Sequence, residues 1–146
     1  MKIIQVADKL QYMDLLLLAD EQENMVFKYL DKCTMYVLDN CGVKGEIAVC
    51  DAGNGVLEIK NIAVFPEYQR KGYGKALIDF VCQKYASDFS VVQVGTGDSP
   101  LTISFYEKCG FYKSHVIANF FTDNYDHPIY ECGILLKDMI YLKKDI

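Results

Sequence analysis

The stretch Gln-Arg-Lys-Gly-Tyr-Gly-Lys at residues 69–75 decides how this chain folds, because it joins an extended, partly apolar run to an amphipathic helical pattern. Gly72 and Gly74 lack a Cβ, so the chain can turn tightly and bring its backbone N–H groups close to a ligand. The unpaired N–H groups of the first helical turn then face that ligand, with the positive end of the helix dipole behind them. Three full positive charges lie in the same stretch: Arg70, Lys71 and Lys75. These features indicate a pyrophosphate site, and an ordinary strand-to-helix turn with solvated lysines is the alternative.

Two well-known phosphate motifs fail here on spacing. A Rossmann fingerprint needs a further glycine at the position of Leu77, and the other Gly-x-Gly, at 95–97, is followed by Pro100 instead. A Walker A loop needs a longer spacer between its glycines and a Ser or Thr after its lysine. Here one residue separates the glycines, and Ala76 follows Lys75. Both of these nucleotide-binding classes are therefore excluded.

The remaining pattern, Gln-x-x-Gly-x-Gly-Lys-Ala at 69–76, resembles the GNAT superfamily of acyl-CoA-dependent N-acetyltransferases. Residues 104–111, SFYEKCGF, resemble a second signature of that family, a helix that ends in Tyr-x-x-x-Gly-Phe. A helix and a strand separate the two patterns, which also suits the family. The resemblance extends over the whole chain in length and element order, and residues 56–111 are its specific part.

Apolar periodicity and turn residues divide the chain into strands and helices. Asp8 and Asp20 each stand three residues before a Gln or Glu, as helix N-caps do. Ser99 is a further cap, because Pro100 suits the first helical position and Gly110 the left-handed end of the helix. Strands are predicted at 3–6, 35–38, 46–50, 56–64, 91–94, 112–120 and 133–142, helices twice within 8–31, at 73–86 and from 100 to about 110, and a loop at 121–128.

The predicted order β-α-α-β-β-β-α-β-α-β-β matches the GNAT layout. The resemblance therefore implies an α/β (α+β) fold and a single acetyltransferase domain over residues 1–146. In the GNAT fold a mixed, mostly antiparallel sheet is splayed between strands 4 and 5 and flanked by about four helices. The resemblance also implies that the pantetheine arm of acetyl-CoA, the expected cosubstrate, enters the gap between those strands.

Composition agrees with a small cytoplasmic enzyme. The chain has 146 residues, 51% of them hydrophobic, which is enough to bury one core. Its six cysteines form no C-x-x-C pair and no paired spacing with a histidine, which argues against zinc or any other metal and against a disulfide framework. The N-terminus lacks a basic region before an apolar core, and the apolar run 15–19 is too short to cross a membrane. We therefore expect a cytoplasmic protein without a membrane partner.

The charge balance argues against nucleic acid as a partner. The net charge is −5 and the isoelectric point is about 4.9, so the surface field repels nucleic-acid backbones. The basic residues of the 69–75 stretch are therefore a local concentration of positive charge on an acidic protein. The same acidity favours a cationic acceptor.

Amine acetylation requires a base. An amine with a pKa of about 10.4 is mostly protonated at neutral pH, so its proton must be accepted before it attacks a thioester. Glu58, on the predicted fourth strand, stands where many GNAT members carry a catalytic glutamate, and it would take the proton directly or through a water. The alternative is an exposed strand glutamate that pairs with a neighbouring lysine.

The departing CoA thiolate requires a proton donor. Tyr106, four residues before Gly110, stands where the family has its general-acid tyrosine. A tyrosine suits this role because its pKa of about 10 keeps it protonated at neutral pH. The alternative is a buried aromatic residue on the inner face of the helix.

The resemblance also implies how acetyl-CoA is held. A backbone N–H at the bulged end of the fourth strand, within Ile62, Ala63 and Val64, would bind the thioester carbonyl, and the same backbone would pair with the pantetheine amides. Ser99 stands where the family often has an asparagine; it is shorter and also suits a helix cap, so both interpretations remain. The turn completes the expected set of cofactor contacts: Gln69, Arg70, Lys71, Gly72, Tyr73, Gly74 and Lys75.

GNAT acceptors bind between the first two helices and the loop that joins the last two strands. Carboxylates there would hold a polyamine, an aminoglycoside or a lysine side chain, although an ordinary solvated surface explains each of them equally well. The candidate residues are Glu21, Glu23, Asp123, Tyr125, Asp126 and His127.

Two functions fit these residues. The first is an acyltransferase that moves an acetyl group from acetyl-CoA directly to a primary amine of a small molecule or peptide. The second is a non-catalytic acyl-CoA-binding regulatory module, which needs neither Glu58 nor Tyr106. No cysteine has a neighbouring base in the sequence that would suggest a covalent relay. Dimers are frequent in the family, and the apolar final strand is compatible with a homodimer.

Overall fold

The computed structural model describes residues 1–146. Its strands are β1 (Lys2–Gln5), β2 (Thr34–Asp39), β3 (Val43–Gly53), β4 (Val56–Val64), β5 (Val91–Gly97), β6 (Tyr112–Ile117), β7 (Tyr130–Glu131), β8 (Ile134–Leu135) and β9 (Met139–Asp145). Its α-helices are α1 (Met13–Ala19), α2 (Glu23–Phe27), α3 (Tyr73–Lys84), α4 (Pro100–Lys108) and α5 (Phe120–Asn124). Short 3-10 turns occupy Lys9–Tyr12, Leu30–Lys32 and Pro66–Tyr68.

One seven-stranded sheet runs through the molecule in the order β1-β2-β3-β4-β5-β9-β6, and β7 and β8 form a separate hairpin. All neighbours in the large sheet are antiparallel except β4 and β5, which are parallel. The predicted fold class, a mixed and mostly antiparallel sheet with flanking helices, is confirmed.

The sheet splits between β4 and β5. These strands pair only over Val56–Ile59 and Val91–Val94, although β4 continues to Val64. A bulge marks the same point, because Ala48 of β3 faces Asn61 while Val49 faces Ile59. Lys60 is therefore an extra residue in β4 without a partner in β3. The later half of β4 thus borders a gap instead of a strand.

Apolar side chains bury both faces of the sheet. Helices α3 and α4 cover one face through a core that includes Leu77, Ile78 and Tyr106. On the other face, Leu16 of α1 and Val26 of α2 are fully buried in a second, smaller core. Burial of this apolar surface drives both layers together. None of the five helices has the length and apolar character needed to cross a bilayer.

The predicted N-caps at the start of the chain are wrong. Asp8 precedes a 3-10 turn without a side-chain capping bond, and α2 begins after Gln22 instead of Asp20. The carboxylate of Asp20 is already engaged by two tyrosine hydroxyls, so it is not available as a cap. Long-range hydrogen bonds therefore override the local capping pattern here.

The end of the chain also differs from the prediction. The single strand expected at 133–142 is divided into β8 and β9, and the expected loop at 121–128 begins inside α5. Cys132 and Gly133 adopt left-handed conformations, with φ of 51° and 77°, and make the tight turn between β7 and β8. The turn pairs β8 with β7, and residues 136–138 separate β8 from β9, so the predicted strand is not continuous.

Candidate active site

The 69–75 turn is exposed at the start of α3. Gly72 has a left-handed φ of 89° and precedes the helix without any side-chain capping bond. The helical hydrogen-bond ladder begins where the N–H of Ala76 donates to the carbonyl of Gly72 at 3.0 Å. The amides of 73–75 come before that ladder, so they are free to bind an anion.

Gly74 has a different local role from Gly72. A Cβ on Gly74 would lie 3.0 Å from Cζ of Phe105, so its absence allows α3 to approach α4 closely. A Cβ on Gly72 would meet nothing within 4 Å. The first glycine of the pair therefore serves the turn conformation and the second serves helix packing.

Cations and one amide surround the turn. Lys75 forms an exposed ion pair with Asp79 at 2.7 Å, and the Lys71 ammonium lies 5.8 Å from the centre of the Tyr68 ring. Lys44 stacks on the same ring at 3.9 Å, a cation that the sequence did not indicate because it lies on β3. The Gln69 side chain donates to the carbonyl of Val64 at 3.0 Å and so ties the turn to the end of β4.

The backbone of β4 offers donors to the gap. The N–H of Phe65 donates to the carbonyl of Lys44 on β3 at 3.0 Å. Because hydrogen-bonded and non-hydrogen-bonded pairs alternate in an antiparallel ladder, Ala63 also directs its amide toward β3. Ile62 and Val64 then direct theirs to the opposite edge, where β5 no longer pairs with β4. The observed bulge lies at Lys60, two residues before this expected donor set.

Glu58 is buried at the last stretch of pairing between β4 and β5. Only 9% of the residue is exposed, in contrast to the exposed glutamate of the alternative interpretation. Its carboxylate accepts hydrogen bonds from Lys60 Nζ at 3.0 Å and from Gln93 Nε2 at 2.5 Å. The pairing with a lysine agrees with the alternative interpretation, whereas the burial of Glu58 does not. Gln93 was not indicated by the sequence, because its contact with Glu58 depends on the register with β5.

Tyr106 lies on the buried side of α4. Its ring makes edge contacts with Phe105 and Phe111 at centroid distances of 5.2 Å and 5.6 Å. Burial raises the pKa of its hydroxyl, and the nearby Cys109 and Glu131 add to that effect. The hydroxyl is therefore protonated at neutral pH and can act as a donor.

Ser99 stands at the N-cap of α4 but does not cap it. The residue is fully buried, and its Oγ has no hydrogen-bond partner in the chain. Its carbonyl accepts the first helical hydrogen bond, from the N–H of Ile103 at 3.0 Å. An unpaired hydroxyl beside the end of β5 is consistent with a ligand contact.

A chain of hydrogen bonds connects the α5 segment to β4. Tyr125 and Tyr29 donate to the Asp20 carboxylate at 2.6 Å and 3.2 Å. Tyr29 in turn accepts from the Asn61 amide at 3.0 Å, and that amide also donates to the carbonyl of Leu16. Of these residues, the sequence indicated only Tyr125 as an acceptor-site candidate.

The other acceptor candidates lie at the surface near this chain of hydrogen bonds. His127 contacts Asp126 at 2.6 Å and Glu21 at 3.4 Å, and these two carboxylates raise its pKa. Glu23 and Asp123 lie in the first turns of α2 and α5. The structure thus brings residues 20–22 and 125–127 together and leaves Glu23 and Asp123 outside that contact.

One further carboxyl group is buried without a partner. Glu46 of β3 is 0% exposed, and neither of its oxygens has a hydrogen-bond partner. Burial raises its pKa from the ordinary value of 4.5 to about 8, although the backbone of Ala63 opposes this shift. It is directly opposite Ala63 on β4 and on the same sheet face as Glu58. No pattern in the sequence indicated this residue.

Comparisons with known proteins agree with this geometry. The family model of the GNAT acetyltransferase domain matches residues 31–113. YvbK of Bacillus subtilis strain 168, described as an uncharacterized N-acetyltransferase, is 35% identical over 136 residues, which is 91% of this chain and 88% of YvbK.

Solved structures are similar over nearly the full length. An IAA acetyltransferase from Bacillus cereus has a TM-score of 0.93 at 32% identity, with 99% of each chain covered. A GNAT family acetyltransferase from Elizabethkingia anophelis with acetyl-CoA bound has a TM-score of 0.92 at 33% identity, covering 99% of this chain and 97% of that one. The chain belongs to the GNAT family of acetyltransferases.

Proposed function

We propose that this protein is an acyltransferase that moves an acetyl group from acetyl-CoA directly to a primary amine of a small molecule or peptide. The observation that carries the proposal is the position of Glu58, a buried carboxylate at the point where β4 separates from β5. The amides of Ile62 and Val64 border the same gap. A base and carbonyl-binding donors therefore lie on one strand.

The proposed acetyl-CoA contacts follow from the free donors. The amides of 73–75 and the side chains of Arg70, Lys71 and Lys75 would bind the diphosphate, with Gly72 giving the backbone its turn. Ile62 and Val64 would hydrogen-bond the pantetheine arm and the thioester carbonyl. Ser99 would donate its unpaired hydroxyl to the pantetheine arm.

The proposed chemistry assigns one proton to each of two side chains. Glu58 accepts the proton of the incoming ammonium, directly or through a water. The amine nitrogen then bonds to the acetyl carbon, the bond from carbon to sulfur breaks, and Tyr106 donates a proton to the departing thiolate. The nitrogen releases its second proton as the amide forms, and this proton replaces the one that Tyr106 gave. Both groups fit these roles, because the Glu58 carboxylate has cationic and amide donors and the Tyr106 hydroxyl stays protonated.

The surface proposed to bind the acceptor carries several carboxylates and therefore favours a cationic substrate. Asp20, Glu21 and Asp126 lie together where the α1–α2 connection meets the segment after α5. This surface suits an amine-bearing substrate and opposes nucleic acid. The proposal takes residues 1–146 as one domain acting in the cytoplasm, without a membrane partner.

Thiol release from acetyl-CoA tests the proposal. A panel of polyamines, aminoglycosides and lysine peptides is added to the enzyme, and free CoA thiol is measured with a chromogenic reagent. We expect continuous release that depends on one class of amine, and the Glu58→Gln variant serves as the control. Tight binding of CoA with no amine-dependent release from any member of the panel would identify a non-catalytic acyl-CoA-binding module instead.

A further inference from the structure

We propose that Lys60 is an internal acyl acceptor of this enzyme, whose side-chain nitrogen is acetylated when acetyl-CoA is bound and no substrate amine is present. The inference rests on the proposed function, because it uses the same base and the same donor. It assigns a modification site to a residue whose only part in the reaction described above is to hydrogen-bond the base Glu58.

The contact between Lys60 and Glu58 is the first argument. An acceptor amine must reach the Glu58 carboxylate in order to lose its proton. Lys60 Nζ already lies 3.0 Å from Glu58 Oε2, and 30% of its side chain is exposed. The lysine nitrogen thus occupies the position that a substrate ammonium would need, and it retains access from outside.

The bulge in β4 is the second argument. Lys60 is the extra residue of that bulge, and the gap between β4 and β5 opens there. In a regular strand residues 58 and 60 would both pair with β3, whereas the bulge frees the backbone of Lys60 from that ladder. Lys60 is two residues before Ile62 on β4, and it is the first residue of β4 after the pairing with β5 ends.

The electrostatics set the rate of the reaction. Burial alone would lower the pKa of Lys60, but the hydrogen bond and the charge of Glu58 raise it above its ordinary value. Most molecules therefore carry the ammonium form at neutral pH, and acetylation is slow. Its rate should rise with pH, because the free amine is the reactive form.

The step balances in atoms and charge. Glu58 takes a proton from Lys60 Nζ, the nitrogen bonds to the acetyl carbon, and the bond from carbon to sulfur breaks. The CoA thiolate leaves with a proton from Tyr106, and the second proton that the nitrogen loses as the amide forms replaces it on Tyr106. The product is a neutral amide that can no longer form an ion pair with Glu58, so each chain reacts only once.

Mass spectrometry tests the inference directly. The full chain is incubated with acetyl-CoA alone, and the intact mass and the proteolytic peptides are measured along with released thiol. We expect one acetyl group per chain, on Lys60, with one equivalent of thiol. Lys60→Arg should abolish both, because a guanidinium keeps its proton in proteins and is not acetylated.

Two controls separate enzymatic from chemical labelling. Desulfo-CoA, which occupies the cofactor site without carrying an acetyl group, should suppress labelling of Lys60 but not of the exposed Lys2 on the edge strand β1, which lies outside the proposed cofactor site. Labelling of Lys60 that desulfo-CoA leaves unchanged, or no labelling of Lys60 at all, overturns the inference. If amines are acetylated while Lys60 stays unlabelled, only this inference fails; if Lys60 is labelled but no amine is, the proposed amine transfer fails.

Discussion

Glu58 and Glu46 are buried carboxyl groups on adjacent strands that differ in what surrounds them. Glu58 accepts hydrogen bonds from Lys60 and Gln93, which stabilise a carboxylate. Glu46 has no partner, so burial holds it in the neutral form at neutral pH. Of the two, only Glu58 has donors that would stabilise the charge of a base.

The Tyr106→Phe substitution tests the proton donor. It removes the hydroxyl and keeps the ring that packs against Phe105 and Phe111. We expect turnover to fall by about 100-fold, the low end of general-acid contributions, with acetyl-CoA affinity nearly unchanged. Steady-state thiol release and calorimetry with CoA measure the two quantities. Undiminished turnover would show that Tyr106 is only a core aromatic.

The Glu58→Gln substitution tests the base. The amide keeps the size of the side chain but cannot accept the proton of an ammonium. We expect a loss of activity that is largest near neutral pH. The loss should shrink as the pH approaches the pKa of the substrate amine, about 10, because the amine then needs no base. The pH profile of kcat/KM for both enzymes measures this. A loss that is the same at every pH would remove Glu58 as the base.

Sequence spacing can indicate a residue that lies at a set distance from a motif, but not a contact that depends on how strands pair. Glu58 stands six residues before Val64 and Tyr106 four residues before Gly110, so the resemblance could propose both as site residues. Lys60, Gln93 and Glu46 acquire their environments from strand register and from a bulge, which the sequence pattern does not specify. For the same reason Asp20 was interpreted as a cap and not as the partner of two tyrosines.

At the scale of elements, the proposed diphosphate site depends on the turn before α3. Gly53, the last residue of β3, provides a matched control for Gly72. The two glycines have φ of 87° and 89°, and an added Cβ would meet nothing within 4 Å at either position. Alanine at either site therefore strains the backbone equally.

The pair Gly72→Ala and Gly53→Ala tests the anion site. We expect each variant to lose about 1–2 kcal/mol of unfolding free energy, because both force alanine into the left-handed region. Only Gly72→Ala should weaken CoA binding, by about tenfold or more, as expected if one charge-assisted hydrogen bond of about 1.5 kcal/mol is lost. Urea unfolding and calorimetry measure the two effects. Equal CoA affinity in both variants would place the diphosphate elsewhere.

The elements themselves were predicted unevenly. The strand 56–64 and the start of α3 agree with the prediction. A glycine lies directly before each of them, Gly55 before the strand and Gly72 before the helix. The hairpin of β7 and β8 was missed, because its turn uses Cys-Gly where Asn-Gly is the usual signal. Helices α1 and α2 are shorter than the pattern over 8–31 suggested, because a polar connection at Asp20 separates them.

At the scale of the whole molecule, Glu46 links stability to pH. Below its ordinary pKa of 4.5 the group is protonated in both the folded and the unfolded chain, and no cost arises. Between 4.5 and about 8 the unfolded chain releases the proton while the folded chain keeps it. The unfolding free energy therefore falls as pH rises through this window, by at most about 1.4 kcal/mol per pH unit, and levels off above it.

The Glu46→Gln substitution should remove that dependence. We expect the variant to gain stability over the wild-type protein as pH rises from 6 to 9, because glutamine matches the neutral acid in shape and never ionises. Urea unfolding at several pH values measures the difference. Glu107→Gln, on the exposed side of α4, is the control that should leave the curve unchanged. Parallel curves for the wild-type protein and Glu46→Gln would contradict the assignment.

The strand order has a consequence for synthesis in the cell. β6 pairs only with β9, and β9 also pairs with β5, so a later segment of the chain lies between two earlier ones. A nascent chain that has released β6 from the ribosome still lacks the strand that holds it. Until β9 emerges, the edge of β5 stays unsatisfied and is a site where chaperones or a second nascent chain can bind.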